Sequence, residues 1–136
     1  MFTRSPKTSK ASSSAFGSIP AKELAVLEAH STSVNLSQGR VVVRQGDPGR
    51  EAFLVISGAL SVERDNEPVA VVGPGALVGE LALLHNEPRT ATVIAASDAQ
   101  VLALNRREFA TVLDSCPTLA ARLLGEAADR TESIAA

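Results

Sequence analysis

Residues 39–79 read GRVVVRQGDPGREAFLVISGALSVERDNEPVAVVGPGALVG, and this stretch decides the fold. Seven of the chain's nine glycines (Gly39, Gly46, Gly49, Gly58, Gly73, Gly75 and Gly79) fall inside it, separated by short apolar runs. Glycine supplies turn conformations that side chains resist, so Gly-Asp-Pro-Gly at 46–49 and Gly-Pro-Gly at 73–75 mark chain reversals. The runs at 41–43, 53–56, 59–62 and 69–72 are then strands, and two more follow at 91–95 and 101–104. Many short strands at this spacing indicate a sandwich or a jelly-roll barrel.

Helical periodicity flanks the strands on both sides. Upstream, Pro20 suits a first-turn position, and Ala21, Leu24 and Leu27 recur at helical spacing over 20–29, a brace rather than a catalytic element. Downstream, Asn105 followed by Glu108 has the pattern of a capping box, after which Phe109, Val112 and Leu113 share one face. That helix stops near Pro117, where a second one starts. Its apolar stripe of Leu119, Ala120, Leu123, Leu124, Ala127 and Ala128 lies opposite Arg122, Glu126 and Arg130. The stripe must dock: on the barrel, as a mobile lid, or on a second copy as a homodimer helix.

Composition bounds the function classes. The chain has 136 residues, room for one domain, and 45% of them are hydrophobic, enough to close a core at this length. Residues 1–18 carry Arg4, Lys7 and Lys10, no acid and a dense run of Ser and Thr, the makeup of a flexible tail. Residues 19–130 form the folded domain, and 131–136 a short C-terminal tail. Since 13 basic residues face 15 acidic ones over the chain, the part after the tail is net acidic, and nucleic-acid binding by the fold is not expected. The longest apolar run, Ala52-Phe53-Leu54-Val55-Ile56, is far short of the roughly 20 residues that span a bilayer. With no secretory pattern at the N-terminus and a single Cys116, the expected compartment is the cytoplasm.

The chemistry concentrates at 79–93, Gly-Glu-Leu-Ala-Leu-Leu-His-Asn-Glu-Pro-Arg-Thr-Ala-Thr-Val. An opening glycine, four apolar residues and a break at Pro88 describe a single helical turn followed by a strand. The start of that turn offers unpaired backbone N–H groups to an anion, and Ala82 is small enough to let one approach. Arg89, held at the strand entry by Pro88, offers a planar fork for a phosphate. Glu80, an acceptor when ionised, suits a hydroxyl. A phosphate and a hydroxyl close together describe a nucleotide with few charges. No metal site is expected, because a cupin-like centre needs converging His and Glu ligands and the chain has only His30 and His85. His85, in the spacer, reads as a solvent-exposed residue. No nucleophile, base and orienting group recur together, so enzymatic activity is not expected.

Gly-Glu-Leu-Ala-Leu-Leu, a short spacer and Pro-Arg-Thr-Ala-Thr-Val together resemble the phosphate-binding cassette of the cyclic nucleotide-binding domain family. The family includes regulatory subunits of cAMP-dependent protein kinase, catabolite-activator-type transcription factors and cyclic-nucleotide-gated channels. Arg44-Gln45-Gly46-Asp47-Pro48-Gly49, Phe53-Leu54-Val55-Ile56-Ser57-Gly58 and Gly73-Pro74-Gly75 are similar to its upstream pattern, and the likeness runs over roughly 19–130. Two positions depart from it: Val78 stands where an aromatic residue is usual, and Arg50 where an acidic one is common.

The resemblance implies a mainly β jelly-roll barrel, or β-roll, with an N-terminal helix and two C-terminal helices. It further implies that Glu80 binds the ribose 2′-hydroxyl and Arg89 the exocyclic phosphate oxygens. Backbone N–H groups of Ala82 and Thr90 complete the cradle, Gly79 and Leu81 shape the ribose pocket, and Ala91 belongs to the same ligand-binding set. The ligand expected is cAMP, with cGMP open because Thr90 offers a hydroxyl beside the cassette arginine. With no Tyr or Trp in the chain, a purine cap must come from aliphatic residues or from Arg130. Phe109, Leu123 and Arg130 are the expected hinge and lid residues, moving when the cassette closes. No cofactor beyond the nucleotide is implied, and the output is expected to lie on a separate protein partner. The alternative is a fold of this family that binds no nucleotide and serves as a protein-interaction module.

Overall fold

The computed structural model describes residues 16–130, with side chains through Leu123. Its elements run α1 (Ala21–Ala29), β1 (Thr32–Leu36), β2 (Val41–Val43), β3 (Glu51–Ser57), β4 (Leu60–Arg64), β5 (Glu67–Val72), β6 (Leu77–Val78), α2 (Glu80–His85), β7 (Thr92–Ala95), β8 (Ala99–Asn105), α3 (Arg106–Ser115) and α4 (Pro117–Arg130). The eight strands form two antiparallel four-stranded sheets, ordered β1-β8-β3-β6 and β2-β7-β4-β5. This is the expected β-roll with an N-terminal helix and two C-terminal helices. Among the described residues no helix is long and apolar enough to cross a membrane.

The sheets differ in how many faces they bury, and the strand sequences reflect it. In β3, Phe53 and Val55 point into the roll, while Ala52, Leu54 and Ile56 point outward into a second core shared with the helices. In β8, Val101 and Ala103 line the roll and Leu102 and Leu104 the helical core. A sheet covered on both faces needs unbroken apolar strands, and this is why the longest apolar run falls in β3. The other sheet has one wet face: in β5, Val71 is 67% exposed while Val72 is buried. Pro68 sits within β5 because that strand is an edge and needs no second ladder.

Two strands lie where periodicity gives no signal. β1 contributes only Val34 and Leu36 to the roll, and its buried Ser33 takes a hydrogen bond from Gln100 Nε2 at 2.9 Å. β6 is two residues long, with Val78 directly across from Phe53, whose ring stands beside the position where an aromatic residue is usual. The packed body also begins earlier than residue 19. Phe16 is 2% exposed and joins Ile19, Leu27, Leu119 and Leu123 in the helical core, because one large ring gains enough burial to order its segment. Residues 1–15 and 131–136, most of the expected tails, lie outside the described residues.

The C-terminal helices are tied down by polar contacts. Asn105 accepts from the Glu108 N–H at 2.8 Å and donates its own N–H to Glu108 Oε1 at 2.9 Å, the reciprocal box expected there. Cys116 occupies the position before α4 where a capping oxygen is usual. Glu23 of α1, itself buried, supplies that oxygen instead, accepting from the Leu119 N–H at 2.9 Å.

Candidate functional site

Arg89 is the centre of the site. Only 4% of it is exposed, and two of its donors are engaged by main-chain carbonyls: Nη1 donates to the Gly79 oxygen at 2.9 Å and Nη2 to the Glu51 oxygen at 2.6 Å. Its Nε is buried with no acceptor. A guanidinium has five N–H donors, so the carbonyls aim the fork and leave part of its capacity open. Burial pushes Arg89 down from its ordinary value, and the carboxylates of Glu51 and then Glu80 pull it back. Burial likewise pushes the Glu51 carboxyl up, with Arg89 opposing and Glu108 adding.

The backbone around Arg89 explains the flanking motifs. Arg89 N–H donates to the Asp47 carbonyl and the Gly46 N–H donates to the Arg89 carbonyl, both at 2.8 Å, beside a bridge between Pro48 and Pro88. The Arg44 to Gly49 segment therefore holds the cassette exit in place. Gly49 lies between the cassette helix and the arginine: a Cβ there would come 2.0 Å from the Ala82 Cβ and 3.4 Å from Arg89 Cζ. Gly79 has φ +83°, and a Cβ on it would come 2.4 Å from Arg89 Nη1. Gly49 needs glycine because Ala82 of the cassette helix packs against its backbone, and Gly79 because the arginine is buried against it.

The other expected residues are placed as follows. Glu80 opens α2 and is 3% exposed, so it and Arg89 are not a solvated surface couple. Leu81 is half-buried and Ala82 buried, and Gly79 at the cap makes no side-chain bond to the first turn. Thr90 is exposed, whereas Ala91 is buried in the roll core. His85 is exposed, as expected. Phe109 and Leu123 are buried together with Leu83 of α2 in the helical core, so cassette helix, α3 and α4 share one apolar cluster. The Arg130 side chain lies outside the described residues.

Sequence reasoning missed three contributors. Glu51 serves through its carbonyl, which every residue possesses and no side-chain pattern reveals. Gly49 was visible only as a turn. Arg106, the first residue of α3, donates Nη1 to the Leu83 carbonyl and Nη2 to Asn86 Oδ1 at 3.2 Å, joining α3 to the end of the cassette helix.

Comparison with known proteins agrees with this geometry. Over 82 residues the chain is 44% identical to a cyclic nucleotide-gated potassium channel of Mesorhizobium japonicum, covering 60% of this chain and 22% of the channel. It is 40% identical over 78 residues to a cAMP-dependent protein kinase regulatory subunit of Eremothecium gossypii, covering 57% and 17% respectively. The catabolite activator protein of Thermus thermophilus superposes with a TM-score of 0.75 at 29% identity, over 88% of this chain and 59% of that one. The matched segment is thus about a fifth of either of the first two relatives. The model of the cyclic nucleotide-binding domain matches residues 33–116, which include both sheets' central strands and the whole of the Arg89 site, and the chain belongs to that family.

Proposed function

We propose that this chain binds a cyclic nucleotide, cAMP in preference to cGMP, and acts in the cytoplasm as a regulatory sensor rather than a catalyst. The observation that carries the reading is Arg89, a buried cation aimed by two carbonyls with Nε left without an acceptor. A buried, incompletely satisfied guanidinium is costly. A singly charged cyclic phosphate offsets that cost by supplying acceptors and a counter-charge in one group.

In this reading the phosphate's exocyclic oxygens meet Arg89 and the backbone N–H groups of Ala82 and Thr90. Glu80, buried beside them, takes the ribose 2′-hydroxyl, Gly79 and Leu81 wall the sugar, and Ala91 belongs to the same ligand-binding set. The signal leaves through Leu83: when the ligand draws the cassette inward, the cluster of Leu83, Phe109 and Leu123 repacks, and α3 and α4 move. A ligand biases such an equilibrium only by its preference for one state. The moved helices then present the change to a separate protein partner or to a second copy through α4.

Titration calorimetry of the wild type and Arg89→Leu with cAMP and with cGMP tests the reading. The wild type should bind cAMP more tightly than cGMP. The variant should lose about 2 to 5 kcal/mol, the scale for truncating one partner of a buried charged hydrogen bond. A folded wild type that binds neither nucleotide would instead support the interaction module.

A further inference from the structure

A cleft of about 600 Å³ opens outside the cassette where three elements meet: the loop before β3, the end of α2 and the start of α3. Arg50, Arg106 and Arg107 line it together with Asn86 and Asn105, and no acidic residue does. The placement runs against both the global and the local electrostatics. The chain carries a formal charge of −2, and only ten of its basic residues follow position 18, yet three of them gather here.

Arg106 and Arg107 are also the first two residues of α3. There the helix dipole disfavours a cation. Arg106 recovers part of this through the Leu83 carbonyl and Asn86 Oδ1. The guanidinium groups of Arg50 and Arg107 are exposed and have no hydrogen-bond or ion-pair partner among the described residues. The neighbouring carboxylate of Glu108 is committed to its capping box, and Glu51 does not line the cleft. Arg50 is, besides, the position where the sequence departs from an acidic residue.

We infer that this cleft docks an acidic peptide segment of a partner protein. Carboxylates spaced along an extended chain can meet guanidinium groups from both walls, Arg50 before β3 and Arg106 and Arg107 on α3, and fill a cleft of about 600 Å³ that one small anion would leave mostly empty. Each pairing is charge-assisted and suited to the planar fork. A long nucleic acid is disfavoured because the remaining surface is net acidic and repels a polyanion. The inference does not rest on nucleotide binding, since Arg50, Arg106 and Arg107 are separate from the Arg89 fork.

The test is fluorescence anisotropy of a labelled oligoglutamate peptide titrated with the full chain at low salt and without nucleotide. Arg50→Glu/Arg107→Glu reverses two exposed charges, and Lys22→Glu on α1 makes a matched change elsewhere. Circular dichroism checks that each variant is folded. The expected result is saturable binding that weakens at least about tenfold in the double variant, falls with added salt and is unchanged in Lys22→Glu. The inference is overturned if the wild type does not bind, if Lys22→Glu weakens binding as much as the double variant, or if inorganic phosphate at matched ionic strength displaces the peptide. Preference for a single-stranded oligonucleotide over the peptide overturns it as well.

Discussion

Replacing Gly79 by alanine probes the Arg89 site through its backbone. Gly79 holds φ at +83°, a region that costs a residue with a Cβ about 1 to 2 kcal/mol. The added carbon would lie 2.4 Å from Arg89 Nη1 and 3.1 Å from the Glu51 carbonyl oxygen. The first distance is impossible and the second closes the way out, so the guanidinium must give up its 2.9 Å bond to the Gly79 carbonyl. Losing a hydrogen bond from a charged group costs about 1.5 to 3 kcal/mol. Together the two effects predict a destabilisation of about 2.5 to 5 kcal/mol. Gly39→Ala separates them: its φ is +91°, but a Cβ there meets nothing within 4 Å. That variant should lose only the backbone cost of about 1 to 2 kcal/mol. Urea denaturation of both variants reads the difference. Calorimetry with cAMP reads the consequence for the proposed binding, because a displaced fork would no longer meet the phosphate. Affinity should fall at least about tenfold in Gly79→Ala, or 1.4 kcal/mol, and stay unchanged in Gly39→Ala. Equal destabilisation of the two, or full affinity in Gly79→Ala, would refute the reasoning.

Three further outcomes concern the C-terminal helices. Glu23→Ala leaves the buried Leu119 N–H without its acceptor and should cost about 1 to 3 kcal/mol in urea denaturation, while Glu23→Gln, which keeps an acceptor, should restore most of it. Asn105→Ala removes the side-chain half of the α3 capping box and should cost about 1 kcal/mol by the same measurement. Burial, with the charge of Glu23 adding to it, pushes the Cys116 thiol up. The unfolded thiol ionises first, near pH 8.5, so the folded state holds the proton more tightly. This contribution is fully present below that pH and lost as pH rises toward the folded value. Urea midpoints should decline on the alkaline side, and Cys116→Ala should flatten the decline.

The short-range chemistry of this chain is legible in its letters. Glycine turns, the alternation of apolar runs and the Asn105 to Glu108 spacing act within a few residues, where conformational preference follows residue type, so the β-roll and most of its elements can be derived. Glu80 and Arg89 were legible for the same reason, as charges bracketing a helical turn. Phe16, Glu23, Gly49 and Arg106 were not. Each draws its role from a neighbour remote in sequence: Phe16 from the core beneath α1 and α4, Glu23 from an N–H 96 residues away, Gly49 from Ala82, and Arg106 from the Leu83 carbonyl. Tertiary structure alone decided that Arg89 is buried rather than solvated, and which carbonyls aim it. Every residue carries a carbonyl, so a side-chain pattern cannot mark the two that matter. Only the closing of the roll brings Gly79 and Glu51 to the same guanidinium and turns a charged residue in a motif into a buried, directed donor.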